Sequence, residues 1–200
     1  MTARRSASGD SREARKEQTH ARIVTTASRA VRRSGCAGVG VAEVMGEAGL
    51  THGGFYAHFD SREAMLAEAV AHAAQDSRDR LDAHVASRVA GGTSPLRALV
   101  EAYLSDAHRT AVEGGCVVAA LASELPRQPA PVRAVAAERV RRLVERVRHA
   151  LPPDSAAGAA EAIASAMVGA LLLARTVDDD AEAATLLRRA RRSLLARYDH

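Results

Sequence analysis

Apolar residues recur along this chain at helical spacing, and nowhere with the clean alternation of a half-buried strand. Ile23, Ala27 and Val31 fall at i, i+4 and i+8. They predict a first helix from Ser11 or Lys16 to Ser34, stopped by Gly35. Val41, Val44, Met45 and Ala48 mark the inward face of a short second helix over 41–48, ended by Gly49. A third helix over 51–57 opens on Thr51, a favoured N-cap type. Asp60 and Glu63 have capping-box spacing ahead of a fourth helix, with Met65, Leu66, Ala69 and Val70 inward, that runs to about Val89.

The run Gly91-Gly92-Thr93-Ser94-Pro95 then breaks the pattern. Beyond it the periodicity predicts a fifth helix to about Val112, a short apolar helix over 116–125, and a basic helix from Val132 to Leu151. An Ala-rich helix over 156–177 and a last helix ending near Tyr198 complete an all-α chain of about nine helices. Prolines at 126, 129, 131, 152 and 153 mark joints, as does Asp178-Asp179-Asp180. The organisation expected is a flexible basic arm over 1–15, a three-helix unit over 16–60, and a longer helical region over 61–200.

Composition narrows the class. Hydrophobic residues make 47% of the chain and charged residues 26%, which fits a soluble globular protein. Two cysteines are too few for a disulfide framework and point to a reducing compartment. The charged N-terminus has no signal-type apolar segment, and the apolar stretch Ile163–Ala174 is short and rich in Ala, Ser and Gly. The expectation is a cytoplasmic protein with no membrane partner. Net charge is only +4, but residues 1–40 hold nine basic and three acidic side chains, a balance compatible with nucleic acid. Arginine supplies 27 of the 28 basic residues, a bias that reflects GC-rich coding, so arginine number alone is no evidence for phosphate binding.

Three of the five aromatic residues, Phe55, Tyr56 and Phe59, sit within five positions. Helices over 16–58 with a glycine turn between the second and third read as a helix-turn-helix. Gly49 can take positive φ in that turn, and Leu50 plugs the angle between the helices. Phe55 and Phe59, four apart, face the first and fourth helices. Thr51, His52, Tyr56 and His58 are left outward.

The run Gly49-Leu50-Thr51-His52-Gly53-Gly54-Phe55-Tyr56-Ala57-His58-Phe59, followed by Ser61-Arg62-Glu63-Ala64-Met65-Leu66, resembles the DNA-binding signature of the TetR/AcrR family of transcriptional regulators. The resemblance covers about residues 16–66. It implies an N-terminal helix-turn-helix DNA-binding domain and a C-terminal helical domain for effector binding and dimerisation. It further implies a ligand-released repressor that binds a palindromic operator in double-stranded DNA as a homodimer. Thr51 would meet a phosphate through its hydroxyl and the free backbone N–H groups beside it. Gly53 and Gly54 would permit close approach to DNA. Tyr56 and His58 resemble the family's phosphate-contacting pair, Arg62 a phosphate clamp, and His52 a reader of base edges. Many members carry a hydroxyl residue where Gly40 stands, so Gly40 keeps only its backbone N–H for a phosphate.

By the same resemblance the fifth to seventh helices enclose an effector pocket. Its lining should be mostly aliphatic, because Tyr103 is the only aromatic between Phe59 and Tyr198. Tyr103, His108, Cys116, Leu125 and Met167 are the candidate lining residues, with ordinary core packing as the competing reading of each. Cys116 follows Gly114-Gly115 at a helix start, where a thiol can be activated, so an electrophile- or redox-sensing repressor is an alternative. The last two helices would form the dimer interface through Ile163, Met167, Ala170, Leu187 and Leu194. The basic runs Arg139–Arg148 and Arg188–Arg192 read as solvated faces. No cofactor, metal site or catalytic role is expected: the histidines and cysteines lack metal spacing, and no phosphate loop or Gly-x-Ser-x-Gly occurs. An all-helical enzyme and an effector-independent architectural DNA-binding protein are the other classes, the second disfavoured by the long region beyond the DNA-binding segment.

Overall fold

The computed structural model describes residues 4–199, and among them every regular element is helical. The α-helices are α1 (Arg4–Ser34), α2 (Val41–Glu47), α3 (Arg62–Ala90), α4 (Pro95–Tyr103) and α5 (Asp106–Thr110), then α6 (Val117–Leu121), α7 (Ala130–Ala150), α8 (Ala159–Thr176) and α9 (Asp180–Tyr198). Short 3₁₀ helices occupy His52–Ala57, Val112–Gly114 and Leu125–Arg127. The stretch 4–15, expected as a flexible arm, continues α1. It lacks proline, and its Ala, Arg and Glu residues favour helix. Residues 1–3 of that expected arm lie outside the described residues.

Local signals explain the boundaries. At the end of α2, Leu50 N–H donates to the Met45 carbonyl at 2.8 Å and Gly49 N–H to the Gly46 carbonyl at 2.9 Å. Those paired bonds are a Schellman cap, and they need Gly49 at φ +69°. The cap of α3 is Ser61, whose hydroxyl accepts from Ala64 N–H at 3.1 Å, one residue later than the expected Asp60. The predicted fifth helix splits into α4 and α5 at Ser105. Its hydroxyl accepts from His108 N–H and donates to the Ala102 carbonyl, so it starts a new helix in place of continuing the old one. Asp179 caps α9 by accepting from Glu182 N–H at 2.6 Å, and the acidic run beside it suits a helix N-terminus.

Two buried clusters hold the chain together. The first joins Ile23, Ala27 and Val31 of α1 to Val44 and Met45 of α2, Phe55, Phe59, and Met65, Leu66 and Val70 of α3. The second joins Leu96, Leu99 and Tyr103 of α4 to Val147 of α7, Ile163, Met167 and Leu171 of α8, and Leu187 of α9. Helix α6 belongs to both: Val117, Val118 and Leu121 pack into the first cluster and Ala119 into the second. The three-helix unit over 16–60, the head of the molecule, therefore does not close on itself at residue 60; α6 and the start of α7 complete its core. Helix α8 is long and apolar enough to cross a bilayer by length and composition, with mean hydropathy 1.4. Its Ile163, Met167, Leu171 and Ala174 stripe is buried inside this fold.

This packing changes the reading of the expected dimer residues. Ile163, Met167, Ala170, Leu187 and Leu194 are all buried within their own chain. Helical periodicity finds the stripe that each helix turns to its own core, and here that stripe joins α8 to α9. The outward face of α8 carries Ala162, Ser165, Ala166 and Leu173, the last 55% exposed.

Candidate nucleic-acid interface and effector cavity

The segment 51–58 is a 3₁₀ turn braced from behind. Phe55 and Phe59 are buried with ring centroids 5.4 Å apart, and His20 of α1 stacks on Phe59 at 4.6 Å. Paired glycines disfavour a regular α-turn, which accounts for the 3₁₀ form of the expected third helix. Tyr56 leans edge-on against Phe55 at 5.2 Å but is 72% exposed, so its hydroxyl faces outward. Thr51 and His52 are exposed, and the Thr51 hydroxyl makes no capping bond that would occupy it. A Cβ added at Gly53 would meet nothing within 4 Å, and one at Gly54 would meet only the tip of Met45 at 3.6 Å. The fold itself therefore makes no demand for glycine at either position. Gly40 is the exposed N-cap of α2, with open space around it.

Two predicted DNA contacts look different in the structure. Arg62 turns inward: its Nε donates to the Val39 carbonyl at 3.1 Å and its Nη2 to the Val39 and Cys36 carbonyls. It ties the α1–α2 loop to the start of α3, and backbone acceptors of this kind leave no trace in sequence. His58 is half-buried, its Nδ1 has no hydrogen-bond partner among the described residues, and burial with the nearby His20 and Lys16 charges lowers its pKa. Any phosphate contact it makes at neutral pH is through the neutral ring.

A cavity of about 370 Å³ lies between α3, α4, α6 and α7. Tyr103, His108 and Cys116 line it, as expected. Leu125 and Met167 do not: Leu125 packs in the head cluster and Met167 is fully buried between α8 and its neighbours. His108 is held as a neutral ring. Its Nδ1–H donates to the Tyr103 carbonyl at 2.6 Å, and its Nε2 accepts from Cys116 N–H at 2.9 Å. A backbone N–H can only donate, so Nε2 must keep its lone pair. Burial lowers the His108 pKa; the Tyr103 carbonyl opposes this and the Arg175 charge adds to it. The Tyr103 ring is buried, its hydroxyl finds no oxygen or nitrogen partner among the described residues, and burial with the Cys116 sulfur beside it pushes its pKa well up. Arg175 donates to the carbonyls of His108 and Arg109 and has no carboxylate partner among the described residues. Cys36, by contrast, is buried, and its thiol is pushed up to about 11 by burial and the Glu124 charge, against the pull of Arg62.

Within the basic run Arg139–Arg148, Arg141 and Arg148 are exposed as expected, but three other arginines of α7 face the cavity. Arg139, Arg142 and Arg146 recur at i, i+3 and i+7 and line the cavity with Leu143. That spacing was the available signal, masked by the abundance of arginine elsewhere.

Two arginines at the end of α1 connect cavity and head. The Arg32 side chain is 1% exposed and reaches Asp76 of α3 at 3.2 Å, as well as the Ser28 and Gly115 carbonyls. Asp76 also binds Arg80, a cavity residue, at 2.6 Å. Arg33 joins Glu47 of α2 at 2.6 Å to Glu113 of the 112–114 turn at 2.9 Å. No group of three or more His, Cys, Asp or Glu side chains among the described residues could hold a metal ion.

Residues 23–69 match the model for bacterial regulatory proteins of the tetR family, and residues 92–194 match a tetracyclin repressor-like C-terminal domain. The HTH-type transcriptional regulator Rv0196 of Mycobacterium tuberculosis is 31% identical over 188 residues, covering 87% of this chain and 92% of that one. A TetR transcriptional regulator from Chloroflexus aurantiacus superposes with a TM-score of 0.73 at 22% identity, over 91% of this chain and 94% of its own. Escherichia coli NemR in its reduced form superposes with a TM-score of 0.72 at 18% identity, over 88% and 95%. Buried Phe55 and Phe59, the capped turn at Gly49 and the outward Tyr56 are the local form of that match, and the chain belongs to the TetR family of DNA-binding transcriptional regulators.

Proposed function

We propose that this protein is a cytoplasmic, homodimeric repressor that binds a palindromic operator and releases it when a small molecule enters the cavity. The observation that carries the reading is the double membership of α6. Val117 and Val118 line the cavity and also pack in the head core. A ligand that moves them shifts the core on which Phe55 and Phe59 rest. Arg32 and Arg33 give the same shift two polar handles on α1 and α2. An effector acts by binding one arrangement of the heads better than the other.

In the bound state Thr51, Tyr56 and the N–H groups of Gly40 and residues 51–53 meet phosphates, the Gly54 N–H being spent on the Thr51 carbonyl. His52 faces base edges, Gly53 and Gly54 allow the backbone close, and His58 supports Tyr56. Arg62 acts indirectly, by fixing the loop before α2. The outward face of α8, with its small residues, pairs with a second copy so that two heads read two half-sites. Footprinting on the DNA upstream of the protein's own gene tests this. A protected inverted repeat, bound far more tightly than random DNA, supports a regulator. Equal affinity for both would instead indicate architectural binding, and no binding at all would reopen the enzyme class.

A second reading has its own observation. Cys116 lines the cavity beside the unpaired Tyr103 hydroxyl, with the Arg175 guanidinium close enough to act on both. In this reading the effector is an electrophile. With iodoacetamide as the probe, a sulfur–carbon bond forms at Cys116, iodide leaves, and the thiol proton passes to solvent. Operator release by the alkylated protein, lost in Cys116→Ser, supports it. Release that persists in Cys116→Ser sinks it.

A further inference from the structure

The cavity has one sign of charge. Five arginines, Arg78, Arg80, Arg139, Arg142 and Arg146, are among its lining residues, and no aspartate or glutamate is. Four are engaged from outside the lining. Arg80 is tied to Asp76, Arg142 to Glu138, Arg146 to Asp82, and Arg78 to Gln75 with Asp79 and Asp82 at longer range. Arg139 stands apart. No carboxylate lies within ion-pair distance of it among the described residues, and its Nε is buried without a hydrogen-bond partner. Burial lowers its pKa, and the charges of Arg142 and Arg78 lower it further against the weaker pull of Glu138, so cation repulsion at the site is only partly offset.

The aliphatic part of the lining includes Leu81, Ala102, Val117, Val118 and Leu143, beside the polar Ser77, His84, Ser105 and His108. On the α4 wall the buried Tyr103 hydroxyl has no oxygen or nitrogen partner among the described residues, only the Cys116 sulfur beside it. Buried unpaired donors are costly, and a guanidinium against a carboxylate makes one of the stronger hydrogen-bonded pairs in proteins. A cationic ligand would add to the repulsion. A polyphosphate would need several free cations, and only one arginine is uncommitted.

We propose that the effector is a small anion with a single carboxylate-like head and an aliphatic body. Its head pairs with Arg139, supported by Arg78, and its body lies along Leu81, Leu143 and Val118. This rests on the cavity being the effector site and specifies what enters it. Head binding neutralises the repulsion between α3 and α7, while the body presses on Val117 and Val118 of α6.

The test is titration calorimetry on the full-length protein with hexanoate, decanoate and tetradecanoate, each against the alcohol and the alkylammonium of equal length. Operator binding is followed in parallel. For at least one chain length the carboxylate should bind about tenfold or more tighter than both analogues, the range of a charge-assisted hydrogen bond. Arg139→Gln should bring carboxylate affinity down to that of the alcohol, while leaving the alcohol's own affinity unchanged. An alcohol or alkylammonium that matches its carboxylate at every chain length, or the absence of carboxylate binding at all three, overturns the proposal in the wild-type protein alone, whatever the variant's folding. A preference that survives in folded Arg139→Gln overturns the role of Arg139. Failure of the function reading is visible separately: a carboxylate that binds with the predicted preference but leaves operator affinity unchanged removes the effector role.

Discussion

Replacing Asp76 should destabilise the protein more than replacing its partner Arg32. Asp76→Ala leaves the Arg32 guanidinium, 1% exposed, without a counter-charge. Removing one partner of a buried ion pair costs about 3–5 kcal/mol. Because the Asp76 side chain is 27% exposed and water can replace it, the lower end, about 3 kcal/mol, is expected. Arg32→Met removes the charge and keeps an apolar stem in the site. It leaves the Gly115 carbonyl short of a donor, but Asp76 keeps Arg80. The expected cost is about 1–2 kcal/mol. The double variant should be more stable than Asp76→Ala alone, because no buried charge then goes unpaired. Urea denaturation followed by far-UV circular dichroism, at one fixed protein concentration, measures all three. For a chain of this size, the Asp76→Ala loss corresponds to a fall of roughly 6–12 °C in Tm. The acid limb gives an independent check. Burial alone would raise the Asp76 pKa, but the hydrogen bonds from Arg80 and Arg32 outweigh it and the net shift is downward. Its contribution is therefore complete above the unfolded value of about 3.9 and disappears as pH falls through the folded value. Asp76→Ala should lose stability less steeply than wild type over that range. An Arg32→Met cost equal to or larger than that of Asp76→Ala would refute the reasoning.

The remaining perturbations separate structural from DNA-facing roles. Phe59→Ala empties a buried ring site beneath the 51–58 turn and should cost about 3–5 kcal/mol in urea denaturation. Arg62→Ala should lower Tm and weaken DNA binding while leaving the salt slope of binding unchanged, because its donors are spent on the Val39 and Cys36 carbonyls. A slope reduced by about one unit would show a phosphate contact after all. His108 has a lowered pKa and must stay neutral to accept from Cys116 N–H, so stability should fall as pH drops below about 6.5. His108→Gln should flatten that fall without abolishing it, since His58 is shifted in the same direction.

The head was legible because its signals are local. Glycine at 49, aromatics four apart at 55 and 59, and the periodicity of α1 and α3 each act within a few residues. The 3₁₀ form of 52–57 and the break at Ser105 were less so, since both turn on hydrogen bonds that compete with a helix which sequence also permits. Arg62 and Arg32 lay beyond sequence reading, and the spacing that marks Arg139 was masked, for a common reason. Nothing in composition distinguishes an arginine that binds a carbonyl, an aspartate or an empty cavity, and this chain has 27 of them. The expected dimer residues show the same limit from the apolar side: Met167 and Leu187 mark a buried stripe correctly, but periodicity does not say which partner buries it.

The central claim is that the outward face of the 51–58 turn meets DNA, and Tyr56→Phe tests it most directly. The substitution keeps the ring against Phe55 and removes only the hydroxyl, which has no partner among the described residues in this 72% exposed side chain. Fluorescence anisotropy on the footprinted operator, at one stated salt concentration, should show affinity reduced roughly tenfold to a hundredfold, as for a hydrogen bond lost to a charged phosphate. Tm should be unchanged. Operator affinity within twofold of wild type would contradict the account.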